Sequence, residues 1–166
     1  MLRVLAAALL ALALVGCKEE PNRDGYTPLT INLISGAPAA ASISGGCLIY
    51  TDIPTDTRNP DQHGEALRHI GKSAYECLTG TSSNVVGDTQ DQPFYSERLW
   101  FKIDGSCPNS YYGCFRDPQR TIDTNLYNIG AGCPVGTAAW DEQCWTQFYT
   151  VLGHEIMHGW LGAFHP

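Results

Sequence analysis

Near the end of the chain two histidines stand four residues apart, with a glutamate directly after the first, in the run His154-Glu155-Ile156-Met157-His158. On a helix that spacing places both imidazoles on one face, one turn apart. Two ring nitrogens so placed can share one Zn²⁺ at about 2.0–2.1 Å. Glu155, as the neighbour of the first histidine, points to the side of that ion rather than at it. There its carboxylate can take a proton from water that the metal has made acidic enough to ionise near about pH 7. The chemistry that uses these residue types at this spacing is metal-assisted hydrolysis. The competing reading is a pair of helix histidines satisfied by backbone or carboxylate partners.

A catalytic zinc takes a third protein ligand and keeps a fourth position open. After His158 the sequence runs Gly159-Trp160-Leu161-Gly162-Ala163-Phe164-His165-Pro166, with no acidic residue, and His165 is the one side chain there of suitable chemistry. The stretch from His158 to His165 spans at most about 23 Å. A helix end at Gly162 can turn it back.

His154-Glu155-x-x-His158 followed by Gly162-x-x-His165 resembles the zinc-binding segment of the metzincin metallopeptidases, His-Glu-x-x-His-x-x-Gly-x-x-His. The resemblance implies that His154, His158 and His165 hold one Zn²⁺, that Glu155 is the general base and that Gly162 makes the turn. It further implies hydrolysis of a peptide bond in an extended substrate lying beside an edge strand, for which Ile122 to Ile129 is the candidate. The match is confined to the segment from His154 to His165. It departs from the family in having three residues between His158 and Gly162 where the family has two, and no methionine turn follows His165. His63 and His69 read as surface groups, with one of them the alternative to His165 as third ligand.

These residues need a platform. The last helix is predicted to start near Thr137 or Asp141 and to run to about Leu161. Trp145, Phe148, Tyr149, Leu152, Ile156 and Trp160 fall on one apolar face, and Val151, His154, His158 and Leu161 on another. A helix apolar on more than one side belongs in a domain centre. Tyr149, Trp145 and Trp160 accordingly read as core rather than as substrate contacts. A second helix is expected over Asp61 to Leu78, capped by Asp61 and stopped by Gly80, with Ala66, Leu67, Ile70, Ala74 and Cys77 on one face. Strands are expected at Leu29–Ile34, Cys47–Thr51, Leu99–Ile103 and Ile122–Ile129, and a tight loop at Cys107–Cys114. Asp52, Asp56 and Asp61 lack a glycine-centred calcium pattern and read as solvated loop carboxylates. The whole reads as an α+β domain, helices against a small mixed sheet, an order compatible with the zincin-like fold that the resemblance implies.

The N-terminus is of another kind. Met1-Leu2-Arg3 carries a positive charge, and Val4 to Val15 is unbroken apolar sequence. That run is too short for a permanent membrane span and has the layout of an export signal. It ends in Leu14-Val15-Gly16-Cys17, which resembles the lipobox of bacterial lipoproteins and implies a lipid on Cys17. On this reading residues 1–16 are a lipoprotein signal peptide, 17–28 a flexible polar tether and 29–166 the metallopeptidase domain. The protein would be exported and membrane-anchored, facing the periplasm or the cell exterior. The alternative is an ordinary signal peptide with a chance cysteine.

Of the seven cysteines, Cys17 set aside, six remain: Cys47, Cys77, Cys107, Cys114, Cys133 and Cys144. An even set in an exported chain predicts three disulfides. Short loops favour Cys107 with Cys114 and Cys133 with Cys144, leaving Cys47 with Cys77. A cysteine zinc site is disfavoured because no Cys-x-x-Cys pair exists. With 17 glycines the domain should be rich in loops. The formal net charge of −7 and the lack of a basic run speak against nucleic acid. The expected partners are a protein or peptide substrate, and a membrane reached through the lipid anchor. The rival function is a non-enzymatic, disulfide-stapled surface lipoprotein that binds a partner, with zinc structural or absent. A structural site would be closed by a fourth protein ligand, and none is evident near the helix.

Overall fold

A computed structural model describes residues 21–35, 46–51, 53, 63–81, 95–103, 105, 107–108, 111–125, 132–134 and 136–162. In chain order these form β1 (Thr27–Ser35), β2 (Cys47–Thr51), α1 (Gly64–Leu78), β3 (Tyr95–Ile103), β4 (Gly113–Arg116), β5 (Thr121–Thr124), a 3-10 turn (Thr137–Ala139) and α2 (Glu142–Leu161). The five strands make one sheet in the order β2-β1-β3-β5-β4. The β1–β2 and β3–β5 pairs are parallel, and β1–β3 and β4–β5 are antiparallel. The protein is thus an α+β domain with a mixed sheet, as its sequence predicts.

Alternation along the strands explains the layering. Leu29, Ile31 and Leu33 of β1 join Leu99 and Phe101 of β3 and Ile122 of β5 on one face. Against that face pack Leu67, Ile70 and Ala74 of α1 and Phe148, Leu152 and Ile156 of α2. Apolar residues two apart in a strand share a face, and those three or four apart in a helix share a stripe, so each element buries one side against the other layer. Trp145, Tyr149 and Trp160 pack against the same core, with Trp145 stacked on Tyr149 at 5.5 Å and Tyr75 tilted against both.

The ends of α2 are set by local chemistry. The Asp141 carboxylate accepts a hydrogen bond from the Cys144 N–H at 2.9 Å, satisfying a donor that the first turn leaves unpaired. At the other end Gly162 has φ of 71° and donates its N–H to the His158 carbonyl at 2.9 Å. That left-handed conformation costs a glycine little. For α1 the expected cap, Asp61, lies outside the described residues. The helix starts at Gly64, preceded by His63, which makes no side-chain cap bond.

The two helices touch backbone to backbone. A methyl group built on Gly71 would fall on the carbonyl oxygen of Tyr149, and one on Gly153 would fall on that of Leu67. Each helix thus lends a glycine to the crossing, and the site-bearing turn that begins at His154 follows the closest point directly.

Three expectations need correction. Ile122 to Ile129 is not an edge strand. β5 covers only Thr121–Thr124 and lies between β3 and β4, and residues 126–129 lie outside the described ones. The edge on that side is β4, whose first two residues fall within the predicted Cys107–Cys114 loop. The turn from Asp117 to Arg120 folds β4 back along β5, pairing Phe115 with Ile122 and taking the outer position. Third, the folded part starts before Leu29. Arg23 lies 3.4 Å over the Trp100 ring and donates to the Gln119 carbonyl, and Tyr26 donates to Asp123 at 2.8 Å. These contacts dock residues that polarity alone marks as tether.

The disulfides join Cys47 to Cys77, Cys107 to Cys114 and Cys133 to Cys144, with Cα–Cα distances of 6.1, 5.7 and 5.7 Å. This is the pairing that short loops favour, at ordinary bridging distance. They tie β2 to the end of α1, the β4 start to its preceding loop, and the α2 start to the chain before it. Thiol labelling of the denatured, unreduced protein should therefore find none of these six cysteines free. Two labelled positions would contradict the framework.

Candidate metal centre

His154, Glu155 and His158 project from the C-terminal half of α2, and their ligand atoms lie within 4.8 Å of one another. The two imidazoles meet edge to face with centroids 4.9 Å apart, as residues one turn apart on a helix must. His158 Nδ1 is 3.2 Å from the Gly162 carbonyl oxygen. A carbonyl only accepts, so Nδ1 carries the proton in that bond and Nε2 is the nitrogen with the lone pair. A backbone partner of this kind fixes the tautomer and the ring orientation of a metal-binding histidine. The turn at Gly162 that ends the helix therefore also orients the second histidine.

Glu155 reaches the same cluster from a more enclosed position. It is 5 % exposed, against half-buried histidines on either side. Its space exists because β4 begins with glycine: a methyl on Gly113 would sit 2.7 Å from Glu155 Oε1 and 2.7 Å from Val151 Cγ1. Burial pushes the Glu155 carboxyl up from the ordinary carboxylate range to about 7, while a hydrogen bond from the Phe115 backbone N–H works against that rise. The edge strand thus both encloses the carboxylate and holds it.

The raised value has a consequence for stability without metal. Below the unfolded pKa of about 4.3 Glu155 is protonated in both states, and its contribution to folding is complete. Between that pH and about 7 only the unfolded chain ionises freely, so stability falls as pH rises, by on the order of 3 kcal/mol in total. Urea unfolding of chelator-treated protein at pH 5 and pH 8 should show the fall, and Glu155→Gln should flatten it. Equal pH profiles for the two proteins would count against the burial assigned to this carboxyl.

Around the cluster lies a pocket of about 1020 Å³, walled by Tyr111, Tyr112 and Phe115 on the β4 side and Thr150, Val151 and the histidines on the α2 side. Its volume is of the order that takes small-molecule or peptide ligands. Arg120, in the β4–β5 turn, also lines it. Arg120 is non-glycine with φ of 58°, donates to the Gly159 carbonyl at 3.2 Å and pairs with Glu97 at 2.9 Å. It thereby fastens the turn to the last residues of α2.

The structure brings together His154, Glu155 and His158 of the residues singled out by sequence. His165 lies outside the described residues, as do Cys17, Asp52, Asp56 and Asp61. His63 and His69 are described, and neither belongs to the cluster. Gly113, Phe115 and Arg120 were not anticipated. The Asp117-Pro118 turn pair was the available signal that a hairpin, and hence a strand next to the motif, precedes β5.

The donor set suits a borderline divalent ion. Two imidazoles with a carboxylate alongside belong to the chemistry of zinc and its neighbours rather than of calcium or magnesium. Comparison with protein-family models, with curated proteins and with solved structures gives no match to this chain.

Proposed function

We propose that this chain is a zinc-dependent hydrolase of peptide bonds, exported and held at a membrane by a lipid on Cys17. One observation carries the hydrolase reading. His154, Glu155 and His158 converge within 4.8 Å on the wall of a pocket, and the strand flanking that pocket, β4, pairs with β5 alone among the described strands. An edge strand offers backbone donors and acceptors to an extended peptide, so a peptide bound along β4 would bring its scissile bond into the cleft that holds Glu155.

The roles follow from the side chains. His154 and His158 would supply two nitrogen donors to the ion, and on the reading from the sequence His165 would supply the third. Zinc held there would act as a Lewis acid that polarises a carbonyl and makes water ionisable near neutrality. Glu155 accepts the proton of the attacking water and hands it to the leaving amine. Its burial behind Gly113 and the bond from Phe115 keep the carboxyl in one orientation, so no rearrangement is needed before the proton moves. Tyr111, Tyr112 and Phe115 give the cleft an aromatic wall for apolar substrate side chains.

The experiment is metal analysis combined with hydrolysis. The purified chain should carry one zinc, cleave casein, lose both with a chelator and regain both with added zinc. His165→Ala should weaken metal binding. Mass spectrometry of the N-terminal peptide reads the lipid on Cys17 separately. A chain that binds no zinc, or binds it and cleaves no protein or peptide, would leave a surface binding module as the better description.

A further inference from the structure

The sheet has a second face, away from the helices, and its charge pattern differs from that of the chain as a whole. Strand alternation turns Arg98, Trp100 and Lys102 of β3 to that side, with Arg98 and Lys102 exposed. The chain entering β1 lies across it, with the Arg23 guanidinium over Trp100 at 3.4 Å. Arg98 approaches the same ring at 5.6 Å, and the Lys102 ammonium lies 5.6 Å from the Tyr26 ring. Among the described residues, the acids near this patch are Asp123, which is buried and paired with Arg116 at 3.0 Å, and Asp24, which is exposed. Among the described residues, three cations and two amphipathic rings thus meet one exposed acid, on a chain of formal net charge −7. On the opposite layer, the α1 cations Arg68 and Lys72 are offset by Glu65 and Glu76 on the same helix.

We infer that this basic, aromatic face docks on an anionic phospholipid surface. The inference rests on the membrane anchor proposed for Cys17, and the chain length supports it. Six residues lead from Cys17 to Arg23, a reach of at most about 20 Å. A lipid on Cys17 therefore holds this face of the domain, rather than the helical layer, next to the bilayer. An acidic chain is repelled as a whole by an anionic membrane, so attraction requires a local patch within about a Debye length, 8–10 Å, of the surface. Tryptophan and tyrosine are the ring types that settle at headgroup level. Docking by this face turns α2 and its histidines away from the lipid, which leaves the pocket accessible to substrates in solution.

The test reconstitutes the full chain into vesicles of phosphatidylcholine, alone or with phosphatidylglycerol, and reads tryptophan quenching by brominated lipid. Quenching should appear with phosphatidylglycerol, vanish in about 1 M salt, and be lost in Trp100→Phe. Each cation near such a surface contributes roughly a factor of five. Arg98→Glu with Lys102→Glu should therefore shift the docked population by more than tenfold. Arg68→Glu with Lys72→Glu, the same charge change on α1, should leave it in place. Should the first double variant fail to fold, Arg98→Gln with Lys102→Gln replaces it. Quenching that is equal in both lipids, or insensitive to the β3 substitutions, overturns the docking face. The N-terminal mass distinguishes the two readings: salt-sensitive association with phosphatidylglycerol by a chain lacking the lipid keeps the face and removes the anchor. A chain that stays in solution with both vesicle types removes both.

Discussion

Glu155→Gln should retain zinc and lose hydrolysis by a factor of about 10²–10⁴, the usual contribution of a positioned general base. The substitution keeps the size of the side chain and an oxygen to accept the Phe115 N–H, while removing the capacity to take a proton. It also leaves both imidazoles untouched. His154→Ala and His158→Ala should behave differently, losing metal and activity together, because each removes a donor from a pair that a single ion must share. The discriminating comparison is zinc content beside turnover for the three variants. If Glu155→Gln were to cleave casein at the wild-type rate with zinc bound, the base would lie elsewhere. If it lost the metal, Glu155 would be a ligand, contrary to its buried direction beside Gly113.

Gly153→Val should destabilise the domain by about 4 kcal/mol or more, a large part of the 5–15 kcal/mol typical of a whole domain. The obstacle to any side chain here is the carbonyl of Leu67. That atom belongs to the backbone of another helix and cannot swing aside as a side-chain tip can. Relief requires α1 and α2 to part, which opens voids among Leu67, Ile70, Phe148 and Leu152. Replacing a helical glycine normally gains stability, up to about 1 kcal/mol for alanine, so propensity alone predicts the opposite sign. Gly64→Ala supplies the control, since a methyl there meets nothing within 4 Å, and it should be neutral or slightly stabilising. Denaturant unfolding of the variants decides the matter. A Gly153→Val protein as stable as wild type would mean that the helices do not cross at this point.

How much of this was legible in the sequence depends on the range of the interaction. The α2 boundaries could be read because Asp141 and Gly162 act on their own helix ends. The cluster of His154, Glu155 and His158 followed from helical spacing alone. The cysteine pairing followed from loop length. What could not be read involves partners distant in the chain. Gly113 looks like a loop residue until Glu155 is seen to need its missing side chain. Arg120 looks like a surface cation until it is found at Gly159 and Glu97. β4 has four half-buried residues, too few to show an alternating pattern, and is a strand because β5 pairs with it. Gly71 and Gly153 likewise acquire meaning only through each other.

Because α1 and α2 meet at those two glycines, the mounting of the histidines does not wait for an ion. In a zinc finger the fold exists only while the metal is bound, so metal affinity and folding are one quantity. Here an apolar interior, three disulfides and a backbone-to-backbone crossing hold His154 and His158 in register beforehand. An ion bound there would find these two donors placed, and its loss would leave the scaffold standing. Which ion such a site would take is then a matter of supply and of ligand preference rather than of folding. By the general affinity order of the first transition series, cobalt, nickel and copper would be admissible occupants alongside zinc, and exchange of one for another would not require the scaffold to unfold.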